Sequence, residues 1–179
     1  MSENKDVYAQ AKSQMRLSEK IAAALPGFRG YKEKELRRES DKLIRNHLYL
    51  KLSRDKDNVR VIAQKISDKR YFDAMTDVDR LVAKMDRITE KVNHASYGYS
   101  GFFDVVKIKE ENLDRMIAFD NGLVDGVNAL TDAIDALKAQ LLNGDYSNLK
   151  DKVQGVSDKL ELLEDNFDKR QEVIAGVTA

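Results

Sequence analysis

The chain has 179 residues, enough for one well-packed domain. It carries 31 basic and 31 acidic side chains and is 42% hydrophobic, which is too apolar for a disordered chain and too charged for a membrane-embedded one. It has no Cys, which excludes disulfides, thiolate zinc sites, iron–sulfur clusters and a cysteine nucleophile.

The first predicted element is an N-terminal amphipathic helix with a weak apolar stripe, which ends in a Pro/Gly loop at Pro26. We assign residues 1–30 to this helix and loop, and residues 31–179 to a single helical bundle. No run approaches 18 apolar residues, and the polar start Met1–Asp6 does not lead into the apolar core of a signal peptide. We therefore expect a cytoplasmic protein.

Two helical patterns follow, separated by a polar run. Leu36, Leu43, His47 and Leu50 predict a helix from Tyr31 to Leu52. The run Arg54–Asn58 is predicted to be a break, after which Val59, Ile62 and Ile66 mark a shorter helix. A further stripe predicts a helix from near Tyr71 to Ala95; its apolar positions are Val78, Leu81, Met85, Ile88 and Val92.

The C-terminal part contains two heptad stripes separated by Asn143-Gly144-Asp145. Because Asn and Gly accept positive φ, this tripeptide predicts a helix C-cap and a tight turn. The pair is an antiparallel hairpin whose first helix runs from about Asp104 to Leu142. Gly122 and Gly126 lie inside that helix, where each glycine destabilises the helix by about 1 kcal/mol relative to Ala. We therefore expect that another backbone approaches closely there, and the alternative is a kink or hinge.

These patterns predict an all-α fold. It is an elongated antiparallel helical bundle of three to four long helices with heptad-like packing, plus the N-terminal amphipathic helix. The chain shows heptads but no repeat of 20–50 residues.

The histidines do not form a metal motif. Carboxylate-bridged di-metal bundles use Glu-x-x-His, but Ile44 precedes His47 by three residues and Lys91 precedes His94. We expect no catalytic residue, cofactor, metal or small-molecule substrate, and hence no enzyme.

Asp120 occupies a stripe position where Leu would be the default. A buried carboxylate needs a partner, since burial of an isolated charge is costly. The candidate partners are His47, Arg45 or a lysine on a facing helix. The main interpretation is a register-setting polar layer, or a side chain that reaches out to solvent at the edge of the stripe. The alternative is a ligand- or proton-handling carboxylate.

The segment Ser96–Asp104 is rich in aromatic residues and glycine. One interpretation is a helix–helix corner whose rings plug the end of the bundle. The other is a recognition surface, because interfaces favour aromatic side chains. The candidate interaction residues are Tyr97, Tyr99, Phe102 and Phe103.

The zero net charge conceals an asymmetry between the two parts of the chain. Residues 1–70 hold 18 Lys and Arg against 10 Asp and Glu, whereas residues 71–179 hold 13 against 21. The two parts neutralise each other, or the basic part binds an outside polyanion. The candidate polyanion contacts are Lys32, Lys34, Arg37, Arg38, Lys42, Arg45, Arg54, Arg60, Lys69 and Arg70.

The function favoured by these features is a non-enzymatic scaffold or adaptor that self-associates, as a homo-oligomer, or docks a partner protein. The alternative is salt-dependent binding of nucleic acid or an anionic membrane surface through residues 32–70. The two differ in whether the cationic side chains face solvent or the chain's own acidic helices.

Overall fold

A computed structural model describes residues 19–26, 34–95 and 110–175, the side chains at 34–41, 110–114, 116, 171 and 173–175 excepted. The described residues form helices and turns, with no strand among them, so the predicted all-α fold is confirmed. In chain order the helices are α1 (residues 19–24), α2 (Lys34–Asp68), α3 (Phe72–His94), α4 (Glu110–Leu142) and α5 (Leu149–Ala175).

The four long helices form two antiparallel hairpins. Helices α2 and α3 pack against each other across a turn at residues 69–71, and α4 and α5 do so across residues 143–148. Arg60 on α2 reaches Asp86 on α3 at 3.0 Å, which fixes the register of the first hairpin. The predicted C-terminal hairpin is therefore confirmed.

The two hairpins are stacked side by side, with α2 beside α4 and α3 beside α5. Asn58 pairs with Asp135, and Lys91 pairs with Asp168, each across 77 residues of sequence. One to two turns earlier along the same helices, Lys51 bonds to Asn128 and Lys84 pairs with Glu161. Residue numbers therefore rise together along both helix pairs, so neighbouring helices of different hairpins are parallel. The bundle is thus antiparallel within each hairpin and parallel between the hairpins.

Buried positions repeat between the hairpins at a spacing of 75 residues, a longer period than the roughly 20–50 residues of common repeat proteins. The two hairpins are therefore structural repeats that stack as the units of a helical solenoid do. The equivalent buried pairs are Leu48/Leu123, Leu52/Val127, Val59/Ile134, Ile62/Leu137, Ile66/Leu141, Ala74/Leu149, Val78/Val153, Leu81/Val156, Met85/Leu160, Ile88/Leu163 and Val92/Phe167.

The predicted break at Arg54–Asn58 is wrong, because α2 is continuous through it. Asp55 and Asn58 are buried, and their side chains bond to α4. The polar run is therefore a polar helix interface, a feature that hydrophobic periodicity does not distinguish from a loop.

Both hairpin turns begin with a Schellman motif, in which the second residue past the end of the helix adopts a left-handed conformation. In the second turn this residue is Gly144, at φ 77°, and its N–H donates to the Leu141 carbonyl at 3.1 Å. In the first turn it is Arg70, at φ 54°, and its N–H donates to the Ser67 carbonyl at 2.8 Å.

The two turns meet at one end of the bundle, where the rings of Tyr71 and Tyr146 stack with centroids 6.2 Å apart. At the other end, α1 buries Ile21 and Leu25, and Lys20 pairs with Asp125 of α4 at 3.0 Å. None of the described helices is both long and apolar enough to cross a membrane.

Candidate functional site

The interface between the hairpins is strongly charged along α3 and α5. The cations come from α3 and the carboxylates from α5, so the pairing is one-directional. Arg87 binds both carboxylate oxygens of Glu164, with Nη2 to Oε2 at 2.7 Å. Lys91 lies 3.2 Å from Glu164 and 2.6 Å from Asp168, and Lys84 pairs with Glu161.

Glu164 is the centre of this network. Burial of its carboxyl raises the pKa, but hydrogen bonds from Arg87 and Lys91 more than offset this, so the pKa lies below its usual value. The carboxylate is therefore ionised in the folded protein at neutral pH, and it binds α3 to α5.

The α2–α4 side of the interface is polar. Asp135 accepts hydrogen bonds from Asn58 Nδ2 at 3.0 Å and from Arg54 Nη2 at 3.2 Å. Lys138 donates to Asn58 Oδ1 at 2.7 Å. These bonds connect one turn of α2 to one turn of α4, and they explain why the polar run of α2 is helical.

Asp55 is fully buried in the same interface, at 0% exposure. Its Oδ2 lies 2.7 Å from the Thr131 hydroxyl, which also lies 2.9 Å from the Val127 carbonyl. One hydroxyl proton cannot serve both acceptors. Burial raises the pKa of Asp55, and the nearby Asp135 adds to this, against the lowering by Thr131, Arg54 and Lys51. The Thr131 hydroxyl donates to the ionised Asp55 carboxylate; when Asp55 is protonated, its carboxyl can donate to Thr131, and the hydroxyl can then donate to Val127.

The structure distributes the polyanion candidates over several environments. Arg54 pairs with Asp135, and Arg60 pairs with Asp86. Lys42, Lys69 and Arg70 are exposed, and Arg45 is half-buried. Lys32 and the side chains of Lys34, Arg37 and Arg38 lie outside the described residues, as does the aromatic segment with Tyr97, Tyr99, Phe102 and Phe103.

Asp120 is buried, at 0% exposure, and it pairs with Arg170 of α5, a residue that was not among the candidate partners. Arg170 is itself 1% exposed and lies on the α5 stripe. The sequence contains a signal for this pair, because Asp120 and Arg170 each occupy a position of an apolar stripe on two helices that face each other. His47 is half-buried. Burial is the main cause that lowers the pKa of its imidazole, and the positive charge of Lys51 lowers it further.

The glycines inside the described helices share one flank of the second hairpin. A Cβ added at Gly126 would lie 3.2 Å from Leu163 Cδ1, a side-chain atom, while at Gly122 and Gly155 it would meet nothing within 4 Å. The backbone that the sequence predicted beside Gly122 and Gly126 is therefore not supplied by the described part of the chain.

This flank is defined by helical geometry. Helix α4 meets α2 through Asn128, Thr131, Asp135 and Lys138, so at 100° per residue its opposite side faces away from the first hairpin. We call the exposed sides of α4 and α5 that face away from the first hairpin the outer flank. It consists of Gly122, Gly126, Ala129, Ala133, Ala136 and Gln140 on α4, and Lys152, Gly155, Lys159, Leu162 and Asn166 on α5.

A shallow groove runs along the outer flank between α4 and α5. Small side chains form it, including Ala133 and Gly155, and Lys152 and Lys159 stand at its α5 edge. Leu162 on the same flank is 61% exposed. The arrangement offers an apolar channel with a cationic rim on an otherwise acidic hairpin.

The chain matches no protein-family model, no curated protein and no solved structure at a significant level. Within the described ranges, no group of three or more His, Cys, Asp or Glu residues is placed to hold a metal ion.

Proposed function

We propose that the chain is a non-enzymatic helical scaffold that acts through protein–protein interaction, and that the outer flank receives a helix of a partner protein. The observation that carries this proposal is the 75-residue repeat. Lys51, Arg54 and Asn58 of α2, which dock on α4, have Gly126, Ala129 and Ala133 as their equivalents. The outer flank therefore repeats the docking flank of the first hairpin, and no described element covers it.

The composition of the outer flank supports the proposal. Terminal units of a helical solenoid need a polar outer face for solubility. The first hairpin has such a face, where Lys56 and Arg60 pair with Asp86 at 3.4 and 3.0 Å. The second hairpin instead exposes Leu162 and a row of Gly and Ala residues, as a docking surface does.

The experiment is a selection from a display library of amphipathic helices against the full chain. Sequences enriched on the wild-type chain are expected to lose binding to Ala133→Arg, which fills the groove, and to bind Ala139→Arg normally. Ala139 is the matched control because it is exposed on the side of α4 that faces away from the core. No enrichment, or equal binding to both variants, overturns the proposal.

Self-association remains part of the same test. If sedimentation shows a dimer that Ala133→Arg dissociates and Ala139→Arg does not, the occupant is a second copy of the chain, and the partner-protein proposal is overturned.

A second candidate function is salt-dependent binding of a polyanion, nucleic acid or anionic lipid. The supporting observation is the exposure of Lys69 and Arg70 beside Tyr71 at the end where the turns meet. Arg54 and Arg60 argue against this function, because they already pair with carboxylates of the chain itself.

A further inference from the structure

We infer that the helix received by the outer flank is acidic and amphipathic, and that it belongs to another protein rather than to a second copy of this chain. This inference rests on the proposed function and adds the chemistry of the partner.

The first support is the charge of the outer flank. Residues 110–175 hold 15 Asp and Glu against 7 Lys and Arg. Yet the charged residues among the eleven outer-flank positions are Lys152 and Lys159. The exposed carboxylates of Asp125 and Asp151 lie at the edge of the flank, about 20° around their helices from Ala136 and Leu162. Lys152 and Lys159 stand together beside the apolar groove, where they can pair with carboxylates of a partner helix.

The second support is the interface already formed between the hairpins. There, the cations of the first hairpin face the carboxylates of the second, as Lys84 faces Glu161. Lys84 is equivalent to Lys159 in the 75-residue repeat. By analogy, Lys159 would face a carboxylate on a helix docked against the outer flank, as Lys84 faces Glu161. The interface between the hairpins therefore predicts that carboxylates of a docked helix face the cations of the outer flank.

The third support concerns a second copy of the chain. Its acidic flank contains Asp135, Glu161, Glu164 and Asp168, and all four carboxylates already bind cations of the first hairpin. A second copy would have to separate its own hairpins to present them. A different protein with a free acidic helix has no such requirement.

Shape indicates where the partner's apolar side chains lie. From Gly122 to Gln140 the α4 row spans about 27 Å at 1.5 Å per residue, the length of a helix of about 18 residues. At Gly122 and Gly155 an added Cβ would meet nothing within 4 Å, so the surface there is open to apolar side chains of a partner. Carboxylates on the α5 side of the same helix would then reach Lys152 and Lys159.

The test uses two synthetic helices of about 21 residues, with Leu at the a and d positions and either Glu or Lys at the e and g positions. Fluorescence anisotropy with the full chain measures both dissociation constants at low salt. The Glu helix is expected to bind about tenfold or more tightly than the Lys helix, and the difference should shrink as salt rises.

Two variants locate the effect. Lys152→Glu with Lys159→Glu is expected to reverse the preference, so that the Lys helix binds better. Lys42→Glu with Lys150→Glu changes charge equally at exposed positions outside the outer flank and should leave the preference unchanged. Circular dichroism verifies that each variant is folded.

The failures of the two proposals are distinguishable. If both helices bind equally and Ala133→Arg weakens both, docking stands and the acidic partner is overturned. If the Lys helix binds better, or the reversal does not occur, the acidic partner is again overturned. If neither helix binds and the library also yields nothing, both proposals fail.

Discussion

At the scale of single residues, the pair Asp120–Arg170 is the most consequential buried interaction. Both side chains are shielded from water, at 0% and 1% exposure. Removal of one partner leaves a buried charge, which typically costs about 3–5 kcal/mol, whereas replacement of both by apolar residues is often neutral or stabilising. We expect Asp120→Leu to be strongly destabilising and Asp120→Leu with Arg170→Met to recover most of the loss in urea unfolding. A single Asp120→Leu variant that is more stable than the wild type would contradict this.

Asp55 gives a prediction about pH. Its folded pKa is raised above the unfolded value, chiefly by burial, so its contribution to stability is fully present below the unfolded pKa and is lost as pH rises through the folded pKa. Asp55→Asn keeps a hydrogen-bond donor toward Thr131 without a charge. The variant should therefore gain stability relative to the wild type as pH rises from about 4 to 7. Urea midpoints at both pH values measure it, and Asp57→Asn, exposed on the same helix, is the control. A constant difference would refute the argument.

At the scale of the elements, the two Schellman turns make opposite predictions. A left-handed non-glycine residue costs roughly 1–2 kcal/mol, and glycine does not. Arg70→Gly should therefore raise the free energy of unfolding by about 1 kcal/mol. Gly144→Ala should lower it by a similar amount, since Gly144 has φ 77°. Thermal unfolding of the two variants decides this, and two shifts in the same direction would contradict the common motif.

The α3–α5 interface depends on Glu164, which is 12% exposed and receives bonds from Arg87 and Lys91. Its folded pKa is lowered, so its contribution is present above the unfolded pKa and is lost as pH falls through the folded value. Glu164→Gln should reduce stability at pH 7 by about 1.5–3 kcal/mol, and the difference should shrink at low pH. Urea unfolding compares it with Asp165→Asn, an exposed neighbour on α5. Equal losses in both variants would show that the network is not responsible.

At the scale of the whole molecule, part of the charge asymmetry is matched within the chain, because Lys20, Arg54, Lys56 and Arg60 of the basic part pair with carboxylates of the acidic part. We expect the chain to elute from heparin at or below an ionic strength of about 0.15 M, because several of its basic side chains already bind its own carboxylates. Lys42→Glu with Lys69→Glu, at exposed positions, should elute in the same range. Elution of the wild type only at high salt, abolished in this variant, would instead support the polyanion function.

Much of the fold followed from local sequence. Apolar residues at helical spacing predicted α3 and the α4–α5 hairpin, because the periodic burial of a helix is visible in the helix's own sequence. The turn at Gly144 was predicted for the same reason, as glycine is the residue that accepts its φ. Burial of Asp120 followed from its place on a stripe. Arg70 was not recognised as a turn residue, because arginine carries no signal for a left-handed conformation.

What the sequence determined by itself is therefore the all-α class, the C-terminal hairpin and the presence of two oppositely charged parts. Only the tertiary structure decided that α2 passes through Arg54–Asn58, that Arg170 is the partner of Asp120, and that the hairpins stack in parallel with the outer flank uncovered. The physical reason is the range of the interactions. Periodicity and turn chemistry act over a few neighbouring residues, whereas Asn58–Asp135 and Asp120–Arg170 join residues 77 and 50 positions apart.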